Sequence, residues 1–136
     1  MKMQVLLRIA GALLITLAAA HVFFPRRFHW RQELARLSLL NRQMFVVHTC
    51  FICLILVMMG ALSLFAPHTL LDPTPLSRLV LAGLTCFWGL RLGVQWFVYD
   101  WKLWRGNIFN TFVQFLFSAV WAYLTIVYAS ALITQL

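Results

Sequence analysis

The chain has 136 residues, of which 63% are hydrophobic and only 10% are charged. This composition excludes a soluble domain, in which about a quarter of the residues are charged. Eleven Lys and Arg residues against three acids give a net charge of +8. Because these charges lie mainly in connections beside apolar runs, we expect anionic lipid headgroups, and no nucleic acid, as their partners.

Four long apolar runs predict an all-α integral membrane protein. We expect a single domain over residues 1–136, built as a bundle of four transmembrane helices with spans at about 3–24, 44–66, 79–99 and 108–134. Trp30, Leu34 and Leu37 recur at helical spacing after Pro25. That spacing predicts a short interfacial amphipathic segment between the first and second spans.

The basic residues are distributed unequally between the two sides of the predicted bundle. The first and third connections hold seven of them, whereas Lys2, Arg8 and Arg78 are on the other side. The positive-inside rule then puts both connections in the cytoplasm and both termini outside, in a membrane of the bacterial inner (cytoplasmic) type. The seven residues expected at the headgroup interface are Arg26, Arg27, Arg31, Arg36, Arg42, Lys102 and Arg105.

Polar and aromatic side chains form one continuous stripe along the fourth span. Its members recur at alternating spacings of four and three residues, which places them on one face of a helix. They are Asn107, Thr111, Gln114, Ser118, Trp121, Thr125 and Tyr128. We expect this face to contact protein and not lipid, either through hydrogen bonds between helices or as the lining of a ligand cavity.

The third span carries two different faces. Trp88, Arg91 and Gln95 share one side of the helix. Gly89 and Gly93 form a G-x-x-x-G pair about 200° around the helix from Arg91 and Gln95, respectively. The glycines are expected in helix packing, within a homo-oligomer or against a partner subunit. An arginine this deep needs a counter-group, for which Glu33, Asp100, a lipid phosphate and an anionic ligand are all open.

A polar layer is predicted about 5 Å below the cytoplasmic interface, from helix rise alone. Two histidines and two polar residues fall at that depth, and two further residues lie one layer deeper. The candidate ligand-binding residues are His21, His48, Gln95 and Thr111, with Arg91 and Gln114 beneath them.

Three interpretations of this layer remain open. It secures helix packing or a partner subunit, it binds an anionic lipid-like amphiphile, or His21 and His48 hold haem b or contact a quinone. Cys50 and Cys53 lie inside an apolar run, where an activated thiolate is not expected, and no metal site is predicted apart from the haem alternative. We therefore favour a small non-catalytic membrane protein, an accessory subunit of a larger membrane complex or an amphiphile binder.

Overall fold

The computed structural model describes residues 1–27, 29–100, 102 and 108–136. Arg105 and Asn107, named in the sequence analysis, lie outside these ranges. The described residues form helices and no strand. The helices are α1 (Lys2–Ala20), α2 (Phe24–Arg27), α3 (Trp30–Leu34), α4 (Leu39–Phe65), α5 (Pro67–Leu71), α6 (Pro75–Phe97) and α7 (Ile108–Ile133).

Helices α1, α4, α6 and α7 are each long and apolar enough to cross a membrane. The prediction of an all-helical chain with four such helices is therefore confirmed. Their bounds differ from the predicted ones most at the end of α1, which is Ala20 instead of about residue 24, and at the starts of α4 and α6. Helix α4 begins at Leu39, because Ser38 Oγ accepts a hydrogen bond from the Asn41 N–H at 3.4 Å and caps the helix. Helix α6 begins at Pro75 behind a capping box formed by Thr74 and Ser77.

The connection between α1 and α4 contains two short helices instead of one. Helix α3 ends at Leu34, so Leu37 lies beyond it in the chain and is exposed. His29, just before α3, has a backbone φ of 51° and ψ of 36°, in the left-handed region. A continuous helix is excluded there, because left-handed backbone interrupts the hydrogen-bond ladder.

The chain divides into two compact units. The first contains Met1–Leu7 and Pro67–Leu136, and the second contains Arg8–Ala66. In the second unit α1 and α4 approach each other closely at Gly11 and Gly60. A Cβ atom on Gly11 would lie 2.6 Å from both the carbonyl oxygen of Gly60 and the backbone nitrogen of Leu64. Only glycine permits this backbone approach.

The first unit is built around the α6–α7 pair. The polar stripe of α7 lies inside this unit: Gln114, Ser118, Trp121 and Tyr128 are buried, while Thr111 and Thr125 are half-buried. The prediction that the stripe contacts protein is thus confirmed for its described members. The buried apolar residues that accompany it are Leu81, Leu84 and Trp88 on α6 and Leu124, Val127 and Ala131 on α7.

The end of α7 is joined to the start of α6 by Gln135. Its side-chain Nε2 donates to the carbonyl oxygen of Leu70 at 2.6 Å, and its Oε1 lies 3.1 Å from Ser77 Oγ. Gln135 is 7% exposed, so both of its polar atoms are satisfied by protein. This contact fixes the two helix ends opposite to the candidate site.

Candidate functional site

Arg91 lies on α6, six residues before the last helical residue, Phe97. Its side chain is half-buried. One terminal nitrogen donates to Gln95 Oε1 at 3.1 Å, a contact between residues one helical turn apart. The guanidinium carbon is 4.8 Å from the ring centroid of Trp121 and 5.8 Å from that of Tyr99. Both distances are those of cation–π contacts.

No carboxylate among the described residues lies within 4 Å of Arg91. The two acids considered as its counter-groups have other contacts. Glu33 belongs to the second unit and is 3.9 Å from Arg36, with both side chains largely exposed. Asp100 accepts a hydrogen bond from the backbone N–H of Lys102 at 2.9 Å. The partners of Arg91 in this part of the chain are therefore neutral: an amide oxygen and two aromatic rings.

Gln95 and Gln114 join α6 to α7 through reciprocal hydrogen bonds. Gln95 Nε2 donates to Gln114 Oε1, and Gln114 Nε2 donates to the backbone carbonyl of Gln95 at 3.2 Å. The two side chains are 4% and 6% exposed. Buried amides satisfied in this way fix the register of the helix pair, because a shift by one turn would leave several polar atoms without partners.

Trp121 connects the arginine, the amide pair and a stack of rings. Its indole Nε1 donates to Gln95 Oε1 at 3.3 Å. Its ring stacks on Trp88, with centroids 5.2 Å apart and planes inclined by 12°, and on Phe117 at 5.6 Å. The site is thus a polar cluster enclosed by aromatic rings. We call this group the arginine cluster; its members are Trp88, Arg91, Gln95, Gln114, Ser118 and Trp121.

Two buried polar atoms of the arginine cluster have no hydrogen-bond partner in the described part of the chain. They are the indole Nε1 of Trp88 and the hydroxyl Oγ of Ser118. Trp88 is 2% and Ser118 8% exposed. Buried polar groups are normally paired, so two unpaired groups in one helix pair call for an explanation.

The structure therefore brings together three of the six predicted ligand-binding residues, Arg91, Gln95 and Gln114. Thr111 is half-buried and lies on α7 three residues before Gln114. Trp88, Ser118 and Trp121 were not among the predicted site residues. Their signal was present in the sequence, because Trp88 precedes Arg91 by three residues and the other two belong to the α7 stripe.

His21 and His48 belong to the second unit. In each ring, Nδ1 lies 2.7 Å from the carbonyl oxygen four residues earlier, that of Leu17 or Met44. His21 directly follows α1, whereas His48 lies nine residues into α4 because that helix begins at Leu39. No group of three or more His, Cys, Asp or Glu side chains suited to a metal occurs in the described ranges.

The two glycines of the predicted G-x-x-x-G pair, Gly89 and Gly93, differ in their surroundings. A Cβ on Gly89 would meet the methyl group of Thr125 on α7 at 3.7 Å, an ordinary van der Waals contact. A Cβ on Gly93 would meet no described atom within 4 Å. Gly89 therefore faces α7 of the same chain, and only Gly93 has open space beside it.

The basic residues of the connections are exposed. This holds for Arg26, Arg27, Arg31, Arg36, Arg42 and Lys102. Comparison with known proteins adds no constraint on their role or on that of the arginine cluster: no protein family, curated protein or solved structure matches this chain.

Proposed function

We propose that this chain is an integral membrane four-helix bundle that binds an anionic lipid-like amphiphile, with Arg91 as the group that receives the acidic head. The protein acts as a non-catalytic binder or as an accessory subunit that carries this ligand in a larger membrane complex. The arginine cluster is the binding site. The observation that carries the proposal is the charge of Arg91, which has only neutral partners in the described chain.

The physical argument concerns the cost of that charge in a membrane. An arginine at the centre of a spanning helix costs about 2.5–3.5 kcal/mol on insertion scales. Arg91 lies six residues, or about 9 Å, from the end of α6, which is still within the apolar length of the helix, so its charge carries part of this cost. Gln95 and the ring of Trp121 orient the guanidinium, but neither neutralises it. A phosphate or carboxylate does so through short, charge-assisted hydrogen bonds. Arg91 is half-buried, so part of its surface stays accessible to a headgroup.

The exposed arginines of the first connection support a location beside anionic headgroups. They flank the ends of α1 and α4, two of the four helices able to cross a membrane. Placed in the cytoplasm by the positive-inside rule, they contact the anionic lipid surface of a bacterial-type inner membrane. With both termini outside, the carboxyl end of α6, and with it Arg91, is on the cytoplasmic side.

Lipid exchange in nanodiscs tests the role of Arg91. Full-length protein is reconstituted with mixed phosphatidylglycerol and phosphatidylcholine, and the lipids retained after gentle extraction are counted by native mass spectrometry. Arg91→Gln is expected to lower the preference for phosphatidylglycerol about ten-fold or more, the value of one charge-assisted contact. Arg91→Lys should keep part of it, because lysine has the charge but lacks the planar donor geometry.

Arg78→Gln is the matched control for that experiment. Arg78 is exposed near the opposite end of the same helix, so this substitution removes the same charge without touching the cluster. Wild-type selectivity in Arg91→Gln, or an equal loss in both variants, would refute Arg91 as the headgroup site.

The second candidate function is a redox protein with haem b or quinone at His21 and His48. One observation favours it: when Nδ1 of a neutral histidine donates to a carbonyl, Nε2 is left unprotonated, as a haem ligand requires. Protein purified with haem b would show a reduced Soret and α band that disappears in His21→Ala or His48→Ala, and a quinone would be found in an organic extract of the same sample. A spectrum without these bands and an extract without quinone would leave the amphiphile as the ligand.

A further inference from the structure

The unpaired Trp88 Nε1 and Ser118 Oγ indicate a second contact point in the arginine cluster. An indole N–H only donates hydrogen bonds, and a hydroxyl both donates and accepts. Each atom is enclosed by protein and has no described partner. The partner that fits both is an acceptor oxygen, such as that of a carbonyl group.

Ser118 is unusual among the hydroxyl-bearing residues of the long helices. The hydroxyl groups of four threonines donate to the carbonyl oxygen four residues earlier, at 2.8–2.9 Å: Thr16, Thr49, Thr85 and Thr125. Helices commonly satisfy a buried hydroxyl in this way. Ser118 does not, although it lies only seven residues from Thr125 on the same helix. Its hydroxyl is therefore available to an acceptor between the helices.

The order of the groups along α6 gives the chemistry of the ligand. Arg91 is nearer to the end of the helix, and Trp88 is three residues, or about 4.5 Å, deeper. A ligand that binds both has an anionic group at the outer level and a carbonyl oxygen one layer below it. Diacyl glycerophospholipids have this order, with the phosphate outside and the acyl ester beneath. Polyprenyl phosphates lack the carbonyl, and quinones lack the anion.

We infer that the arginine cluster recognises an anionic diacyl glycerophospholipid, with the phosphate at Arg91 and an acyl ester carbonyl at Trp88 Nε1 and Ser118 Oγ. The inference rests on the proposed function and adds the class of lipid to it. Both donor atoms are enclosed, so the carbonyl enters between α6 and α7 as the side chains there move apart. Replacing the ester carbonyl of the lipid, and not only its phosphate, therefore changes the affinity of the protein for that lipid.

Ether lipids separate the two contacts. Native mass spectrometry of the full chain in detergent is carried out with dioleoyl phosphatidylglycerol, its dialkyl ether analogue, dioleoyl phosphatidylcholine and farnesyl phosphate. The wild type is expected to bind the ester about twenty-fold more tightly than the ether, because the ether lacks the carbonyl oxygen that accepts two hydrogen bonds, each with an effect of about five-fold. Trp88→Phe and Ser118→Ala should each reduce this ratio towards one, while the preference for phosphatidylglycerol over phosphatidylcholine persists.

Thr125→Ala is the control for the loss of a hydroxyl group. Its hydroxyl already donates to the carbonyl of Trp121 at 2.8 Å, so its removal should leave the ester-to-ether ratio unchanged. If Trp88→Phe does not fold, Ser118→Ala supplies the same test without a change in ring size.

The outcomes distinguish the inference from the function on which it rests. Equal binding of ester and ether by the wild type, or farnesyl phosphate bound as tightly as the ester, overturns the carbonyl contact and leaves Arg91 as an anion site. No preference for phosphatidylglycerol over phosphatidylcholine in the wild type overturns the proposed function itself. An indole N–H resonance that is absent from Trp88→Phe and shifts with ester but not with ether lipid supports the inference directly.

Discussion

Helices α6 and α7 meet through side chains, whereas α1 and α4 meet through their backbones. In the first pair, Gln95 and Gln114 exchange hydrogen bonds beside stacked indoles. In the second, Gly11 and Gly60 leave no room for a Cβ atom. Both are ways to hold helices together where surrounding lipid removes the hydrophobic drive for their association. The first pair also holds two buried polar atoms without a described partner, Trp88 Nε1 and Ser118 Oγ.

The glycine contact is the one in which a single methyl group should have the largest effect. Gly11→Ala places a Cβ 2.6 Å from backbone atoms of Gly60 and Leu64, and backbone cannot rotate away as a side chain does. We expect a loss of about 3 kcal/mol in unfolding free energy, at the upper end for overpacking. Thermal unfolding of the detergent-purified protein measures it.

Gly93→Ala is the control for the glycine prediction. It adds the same methyl group where no described atom lies within 4 Å, so stability should stay within about 0.5 kcal/mol of the wild type. Equal melting temperatures for the two variants would show that α1 and α4 are not in close contact at Gly11.

Each hydrogen bond of Gln95 should contribute less to stability than the glycine contact does. The bonds should nevertheless be cooperative, because they share one side chain. Gln95→Leu removes the acceptor of Arg91 and Trp121 and the donor to Gln114 Oε1, while the backbone carbonyl that accepts from Gln114 Nε2 remains. With about 0.6 kcal/mol per interhelical bond in membranes and a penalty for the unpaired groups, we expect a loss of about 2 kcal/mol. Chemical denaturation in mixed micelles measures it, with exposed Gln43→Leu on α4 as the control.

The double variant Gln95→Leu with Gln114→Leu sharpens this prediction. Removing both amides leaves fewer orphaned atoms than removing one, so the combined loss should be about 1 kcal/mol smaller than the sum of the single losses. Strict additivity would mean that the two glutamines do not bind each other.

The sequence was most informative about helices and least about the contacts between them. Long apolar runs predict spanning helices, because in a bilayer a helix satisfies its own backbone polar groups. Apolarity alone places the starts of α4 and α6 four to five residues too late, because the caps at Ser38 and Thr74 begin these helices in more polar sequence. The close approach of Gly11 and Gly60 had no sequence signal, since it pairs single glycines from helices far apart in the chain.

The candidate site shows the same limit. A polar stripe on α7 and the Arg91–Gln95 spacing on α6 predicted which faces are polar, and a period of 3.6 residues suffices for that. The expected counter-groups of Arg91 were Glu33, Asp100, a lipid phosphate or an anionic ligand, whereas the side chain hydrogen-bonded to it among the described residues is the neutral Gln95, one turn along the helix. The unpaired state of Trp88 and Ser118 depends on packing across two helices, which no spacing within one helix reveals.

A smaller effect is expected at the opposite end of the α6–α7 pair. Gln135→Leu removes the bond to the Leu70 carbonyl and the contact with Ser77, and should cost about 1 kcal/mol, because Leu70 then keeps an unsatisfied acceptor. Hydrogen exchange of the α5 and α6 amino-terminal amides should accelerate, with exposed Gln32→Leu on α3 as the control. Unchanged exchange would mean that Gln135 does not hold these ends together.

The smallest effect on stability is expected for Ser118, and it distinguishes a polar group that supports the fold from one that binds a ligand. Ser118→Ala in lipid-depleted detergent removes a buried hydroxyl that has no described partner, so unfolding free energy should be unchanged or should rise by a few tenths of a kcal/mol. Ser77→Ala removes the hydroxyl that accepts from the Thr74 N–H in the capping box and donates to Gln135, and should instead cost about 1 kcal/mol. Added phosphatidylglycerol should stabilise the wild type more than Ser118→Ala, because a ligand stabilises a protein in proportion to its affinity. A loss of stability in Ser118→Ala without lipid would mean that the hydroxyl has a protein partner. The α6–α7 contact would then differ from the α1–α4 glycine contact only in strength.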